Sequence, residues 1–248
     1  MLEWQEWCYD VKEEGEIFPN LCKLTLKRCP KLTKMLPSDK FPKLESLQLN
    51  FTGCLFSRES KFLSLSLLRI EDCPEFECFP DGGIDAPKLK NMSIQWCEKF
   101  RLLPEGMRII VPSLEQLTIR DCPEFISFPQ SGLPPTLVTL TLDGNEKLLA
   151  NGRQCALQRL NSLLTLTISN IEFLVFPEEG LLPTSLTKLF IFNCPQLQCL
   201  PEEGLTTSIS QLHIYGCPFL ERRLQRGKGE DWPKIAHIPD IWLDGKKI

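Results

Sequence analysis

One short pattern of aliphatic residues recurs along this chain and constrains its fold more than any other feature. The pattern L-x-x-L-x-L begins at nine places, separated by 21 to 26 residues. The starting residues are Leu21, Leu44, Leu65, Leu89, Leu114, Leu137, Leu163, Leu186 and Ile209. The first, fourth and sixth positions are aliphatic in every copy, 27 positions in all, which independent placement would give with odds of about one in ten billion. The chain is therefore a repeat protein.

The spacing within each copy predicts one short strand per unit. The fourth and sixth positions are two apart, so both face the same side of an extended chain. One unit cannot bury this face alone, but units stacked about 4.8 Å apart form a parallel sheet with a continuous core. We therefore predict a leucine-rich-repeat solenoid of the α/β class, a horseshoe of about nine repeats with the sheet on its concave face.

The segments between the strands contain Pro and Gly, which would interrupt a helix. We therefore expect loops and short 3-10 turns on the convex side, with little true helix. The organisation we predict is a partial N-terminal repeat at residues 1–20, the repeat array at 21–220 and a C-terminal capping tail at 221–248.

The twelve cysteines raise the question of metal or disulfide chemistry. Six of them occupy one fixed place, eight residues after the start of a unit: Cys29, Cys73, Cys97, Cys122, Cys194 and Cys217. A small, weakly hydrogen-bonding side chain at this place can turn inward and bond neighbouring backbone. No C-x-x-C pair supports a metal cluster or a disulfide framework, so we predict a buried structural ladder and no cofactor. We interpret the pairs Cys73/Cys78 and Cys194/Cys199 in the same way.

Composition argues against several function classes. The net charge of −4 gives no attraction to phosphate backbones, so nucleic acid is not an expected partner. The longest apolar runs are too short to span a membrane, and the acidic N-terminus does not resemble a secretory signal, so we expect a cytoplasmic protein. The two histidines, His213 and His237, belong to no catalytic motif, so we do not expect an enzyme.

The L-x-x-L-x-L-x-x-C-P units, the Trp4-Gln5-Glu6-Trp7 segment and the tail from Gly216 to Pro239 resemble one known family. This family is the plant coiled-coil nucleotide-binding leucine-rich-repeat disease-resistance proteins, and the match is to the C-terminal end of their repeat domain. The resemblance implies a module that senses a pathogen effector or a guarded host protein and restrains an intramolecular nucleotide-binding domain. No G-x-x-x-x-G-K-[ST] motif is present, so we expect a fragment that does not itself bind nucleotide.

The outward strand positions predict where a partner would bind. These positions are polar in the first seven units, but the last two carry aromatic residues. The candidate partner-binding residues are Lys23, Lys27, Arg69, Arg120, Lys188, Phe190, Phe192, Gln211, His213 and Tyr215. Solvent-facing aromatic clusters usually mark a contact. Alternatively, the C-terminal tail folds back and covers the aromatic residues.

Two other functions remain open from the sequence. One is the substrate-recruiting repeat domain of a ubiquitin-ligase adaptor, although such repeats commonly carry helices on the convex side. The other is a secreted or cell-surface receptor, because Asn50-Phe51-Thr52 and Asn91-Met92-Ser93 are glycosylation sequons. Both sequons lie on predicted concave strands, and two in a chain of this length are compatible with chance.

Overall fold

The computed structural model describes residues 18–32, 35–53, 56–145, 147–148, 157–172, 182–201 and 205–248. Its strands form one sheet in which neighbours follow chain order. They are β1 Lys23–Cys29, β2 Ser46–Thr52, β3 Leu67–Glu71, β4 Asn91–Gln95, β5 Gln116–Arg120, β6 Thr139–Asp143, β7 Thr165–Ser169, β8 Lys188–Phe192, β9 Gln211–Tyr215, β10 Asp240–Leu243 and β11 Lys246–Lys247. The Trp4–Trp7 segment lies outside the described residues.

The nine predicted units each contribute one strand, and equivalent positions pair without a register shift. Leu47 pairs with Leu68, for example, and Ile94 with Ile119. From the second unit onward every template residue is buried. Leu21 and Leu24 of the first unit are half-buried. The predicted leucine-rich-repeat solenoid is confirmed.

The repeat count differs slightly from the nine predicted, because β10 extends the stack. Ile241 and Leu243 pair in parallel with Leu212 and Ile214 of β9, so they occupy the fourth and sixth positions of a further unit. Ile238 then stands at the first position, 29 residues after Ile209, and is 4% exposed. This interval lies outside the range of 21 to 26 residues that separates the other units.

The cysteine ladder is buried as predicted, with all six members at most 2% exposed. The thiol of Cys122 donates to the carbonyl oxygens of Arg120 at 3.3 Å and Ile94 at 3.8 Å. Asn145 takes the same place in the next unit, where its amide donates to the carbonyl of Ile119 at 2.7 Å. The nine cysteines in the described part of the chain are free thiols.

Our interpretation of the two C-x4-C pairs was wrong for their second members. Cys78 is exposed and Cys199 is half-buried, so neither belongs to the buried ladder. Cys78 instead forms an isolated parallel bridge with Leu102, beyond the turn that follows the ladder position. The chain still contacts the core here through the buried Phe76 and Phe79, so the side chain of Cys78 points away from the core between them.

Each of the nine units turns its corner through one residue with a positive φ, directly before the ladder position. We call these the corner residues: Arg28, Phe51, Asp72, Trp96, Asp121, Gly144, Asn170, Asn193 and Gly216. Their backbone N–H groups continue the bonding between units, as from Asp121 to the carbonyl of Asp143 at 2.7 Å. At Gly216 a Cβ atom would lie 2.6 Å from Oδ1 of Asn193, so a side chain there would require the Asn193 side chain to move.

The convex side consists of turns, isolated bridges and short helical segments, as predicted. Two 3-10 helices span Ser38–Lys40 and Leu157–Arg159, and the helix α1 spans Met107–Ile110. Behind the sheet, Phe76, Phe100 and Phe125 of successive units stack with centroids 5.5 and 5.6 Å apart. In the described ranges, no helix is long and apolar enough to cross a membrane.

The C-terminal tail continues the core with two short helices, α2 Pro218–Arg223 and α3 Trp232–Ile235. Asp231 between them is 2% exposed, and its carboxylate lies 2.8 Å from Arg223 and 3.0 Å from Lys234. The tail ends in the antiparallel pair β10 and β11. Asp244 and Gly245 connect these strands with φ of 48° and 77°, the conformation that a two-residue hairpin turn of type I′ requires.

Candidate functional site

The C-terminal end of the concave face carries a continuous aromatic surface. The rings of Phe190 and His213, which pair across β8 and β9, lie 5.0 Å apart edge to face. Phe192 stacks on Phe190 at 6.0 Å and pairs with Tyr215. Trp242 on β10 pairs with His213 and lies 5.6 Å from it. We call these five residues the aromatic surface.

Trp242 is the member that sequence reasoning missed. It comes from the tail, which we expected to act only as a cap. A signal was present, since Asp240-Ile241-Trp242-Leu243 contains a β-branched and an aromatic residue and directly precedes an Asp-Gly turn, a pattern typical of a hairpin strand. The tail thus contributes a side chain to the same face as Phe190.

A polar network lies beside the rings and fixes their orientation. The indole N–H of Trp242 donates to Oδ1 of Asp240 at 3.0 Å, and the amide of Gln211 lies 3.2 Å from the other carboxylate oxygen. The ring of His213 lies 3.0 Å from the same amide. Lys247 pairs with Asp240 at 2.8 Å. The hydrogen bonds from Lys247 and Trp242 hold the pKa of Asp240 below its usual range, so this carboxylate is charged at neutral pH.

The tail extends the sheet at the edge of β9, where β10 lies beside the strand in the parallel register. Tyr215 remains 53% exposed, and Phe190, Phe192, His213 and Trp242 are half-buried. Because a paired strand lies next to its neighbour and not across its face, β10 shields the edge and enlarges the aromatic surface.

The structure brings together only part of the predicted site. Lys188 is exposed on β8, one strand from Gln211, so both border the aromatic surface. Arg120 lies on β5, three strands or about 14 Å from β8, and pairs with Asp143 at 2.7 Å.

The remaining predicted cations lie still farther from the rings. Arg69 on β3 pairs with Glu71 at 3.4 Å, whereas Lys23 and Lys27 are exposed on β1. Acidic neighbours therefore offset the positive charge of Arg69 and Arg120, and the four cations form no common patch with the aromatic surface.

The geometry of the concave face suits contact with a macromolecule. The ring of His213 contacts Phe190, Trp242 and the amide of Gln211, whereas a nucleophile-base pair would require a hydroxyl or thiol beside it. Across the described part of the chain, no group of three or more His, Cys, Asp or Glu residues could hold a metal ion. A hydrogen bond with Cys97, together with burial, raises the pKa of the Cys73 thiol, which makes it a poor nucleophile.

Comparison with known proteins places this solenoid beside a plant protein. No family model matches the chain. The chain is 37% identical over 176 residues to a "putative disease resistance protein" of Arabidopsis thaliana, a match that covers 68% of the chain. The chain spans 12% of the length of that Arabidopsis relative. The chain is therefore a leucine-rich-repeat solenoid homologous to one segment of a much longer Arabidopsis protein.

Proposed function

We propose that this chain is a non-catalytic protein-recognition module of an intracellular plant immune receptor. It senses a pathogen effector or a guarded host protein. In the full-length receptor it also restrains a nucleotide-binding domain. The observation that carries the proposal is the aromatic surface on the open concave face of a solenoid whose relative is named for disease resistance.

The mechanism of recognition follows from the rigidity of the sheet. Phe190, His213 and Trp242 project from three adjacent paired strands, so a partner meets a preorganised surface. Aromatic side chains in such a setting supply large contact areas at a small loss of conformational entropy. Binding hot spots are enriched in Trp and Tyr, and their truncation costs about 2 kcal/mol or more. We therefore assign most of the binding energy to this end of the face.

The low helix content supports this proposal over the ubiquitin-ligase adaptor. Repeats of that adaptor class commonly carry a helix in each unit on the convex side. Here the convex segments that the structure describes hold one four-residue helix, α1, two three-residue 3-10 helices and the helical residues Lys147 and Leu148.

The test is a functional assay of the full-length receptor in leaves. The double variant Phe190→Ala/Trp242→Ala should abolish the cell-death response to a recognised pathogen isolate while leaving the receptor level unchanged. The matched control is Gln48→Ala, which truncates an outward residue of β2 in the polar part of the face. An unchanged response in the double variant, or an equal loss in the control, would refute the assignment.

A further inference from the structure

Three of the nine corner residues are unsuited to the conformation they adopt. Six corners carry Asp, Asn or Gly, the residues that tolerate positive φ best. Arg28, Phe51 and Trp96 occupy the others, at φ of 55°, 47° and 53°. For such side chains this conformation is strained, because it brings Cβ too close to the following carbonyl oxygen. Stability alone therefore does not account for them.

Phe51 and Trp96 also gain little from burial. Their side chains are 42% and 44% exposed, whereas the Phe residues of the core are at most 7% exposed. Aromatic residues that are both strained and exposed are typical of functional sites. Phe51 belongs to the second unit and Trp96 to the fourth, so the corner of the third unit, Asp72, lies between them.

These corners line a groove of about 430 Å³ at the C-terminal ends of the strands. Its walls include Phe51, Asp72, Trp96 and Glu98. The side chain of Trp96 lies close to the carboxylate of Asp121 in the next unit. The groove follows the strands β2, β3 and β4, which are four or more strands from β8. About 20 Å therefore separate the groove from the aromatic surface.

The charges in the groove favour a single cation. Asp72 accepts a hydrogen bond from the amide of Asn50 at 3.4 Å. Asp72 and Glu98 are exposed, and neither takes part in a salt bridge among the described residues. Arg28 at the first-unit end of the groove offsets one of the two negative charges of Asp72 and Glu98, so the net charge of the lining matches one cation. The walls thus combine two aromatic rings with two carboxylates that are available for pairing.

We propose that this groove binds one arginine side chain of a protein partner. A guanidinium is planar and stacks on aromatic faces, and it also donates parallel hydrogen bonds to a carboxylate. Phe51 and Trp96 provide the aromatic contacts, and Asp72 provides the carboxylate. Charge complementarity therefore selects a basic segment of the partner, at an interface independent of the aromatic surface.

The test is a titration of the intact chain with the blocked tripeptide acetyl-Gly-Arg-Gly-amide, followed by the NMR signal of the Trp96 indole N–H. The peptide should shift this signal with saturable, millimolar affinity. The matching citrulline peptide, which lacks the charge, should bind at least fivefold more weakly. A lysine peptide that binds as tightly as the arginine peptide would overturn the guanidinium assignment, as would equal binding of the citrulline peptide.

Substitutions already found at other corners allow the site to be removed without disturbing the fold. Asn170 and Asn193 occupy equivalent corners, so Asp72→Asn and Trp96→Asn should fold normally. Asp72→Asn should weaken the binding of the arginine peptide at least fivefold. Trp96→Asn removes the indole N–H signal, so peptide binding to this variant is followed through the backbone amide signals of the groove. We expect the arginine peptide to cause no shift of these signals. Glu75→Gln, which alters a carboxylate paired with Lys99 outside the groove, is the control and should bind normally.

Two results would contradict the proposal directly. Unchanged affinity in Asp72→Asn would show that the carboxylate does not pair with the ligand. A large drop in the melting temperature of Trp96→Asn would show that Trp96 is present for stability, which removes the reason to expect a ligand.

Discussion

Two sets of aromatic residues in this chain contact one another with nearly the same spacing between ring centroids but in opposite environments. In the buried column, Phe100 lies 5.5 Å from Phe76 and 5.6 Å from Phe125 and is fully buried. In the aromatic surface, His213 lies 5.0 Å from Phe190 and 5.6 Å from Trp242 and is half-buried. The repeat brings equivalent positions of successive units side by side wherever they are. Contact between the rings of successive units is thus a property of the solenoid, and exposure is what separates a stabilising column from a binding surface.

The two sets should differ in what their removal costs. Full burial of a Phe side chain contributes about 1.5 to 3 kcal/mol, and truncation in a packed core adds the cost of a cavity. A half-exposed ring loses less on truncation because solvent can fill the space it leaves. Three substitutions test this contrast, in order of decreasing effect.

Phe100→Ala should have the largest effect on stability. It removes the central ring of the buried column and leaves a cavity between Phe76 and Phe125, so we expect a loss of about 3 to 5 kcal/mol. Denaturant unfolding followed by circular dichroism measures this loss. The control is Phe100→Leu, because Leu occupies the equivalent place in other units as Leu32 and Leu197. If Ala and Leu cost the same, the column does not stabilise the fold through packing.

The sequence was sufficient to predict the sheet and its register. Apolar residues at the fourth and sixth positions can be buried together in only one alignment of the strands, since a shift by one residue would expose them. The outward position of Phe190 and the inward position of Ile191 followed from the same alternation. The burial of the cysteine ladder followed as well, because its distance from the strand is constant.

The parts that were missed depend on irregular chain. Phe100 lies eleven residues after the start of its unit, a position as regular as that of the cysteine ladder. It was missed because it lies in a turn, where the alternation of a strand does not indicate which side chains face the core. Trp242 was missed because its unit begins at an interval outside the range of the others. The corner residues had a signal, since Asp, Asn or Gly recurs directly before the ladder position, and Phe51 and Trp96 are its exceptions.

Asp231→Asn should have an intermediate effect, through the tail that supplies Trp242 to the aromatic surface. Asn keeps the shape of Asp231 but removes the charge that pairs with Arg223 and Lys234. We expect a loss of about 2 kcal/mol, within the range for hydrogen bonds to charged groups. The control is Asp81→Asn, whose exposed pair with Arg58 should contribute less than about 1 kcal/mol. Equal losses in the two variants would contradict the role of burial.

The same carboxylate predicts a dependence on pH. Burial alone would raise the pKa of Asp231, but the hydrogen bonds from Arg223 and Lys234 outweigh it and the pKa is lowered. A carboxylate with a lowered folded pKa stabilises the protein above its unfolded pKa, and this contribution is lost as the pH falls further, through the folded value. The difference in stability between the wild type and Asp231→Asn should therefore narrow below about pH 4. Unfolding measured at pH 7, 4 and 3 tests this, and a constant difference would contradict the pairing.

Phe190→Ala should have the smallest effect on stability, about 1 kcal/mol, because its half-buried ring rests on the sheet and does not fill the core. Thermal unfolding beside Phe100→Ala makes the comparison direct. A loss as large as that of Phe100→Ala would mean that the aromatic surface holds β8, β9 and β10 together as a cap. A small loss of stability together with failed recognition is the combination that a binding surface requires, because the exposed rings then contribute to binding of the partner and little to folding.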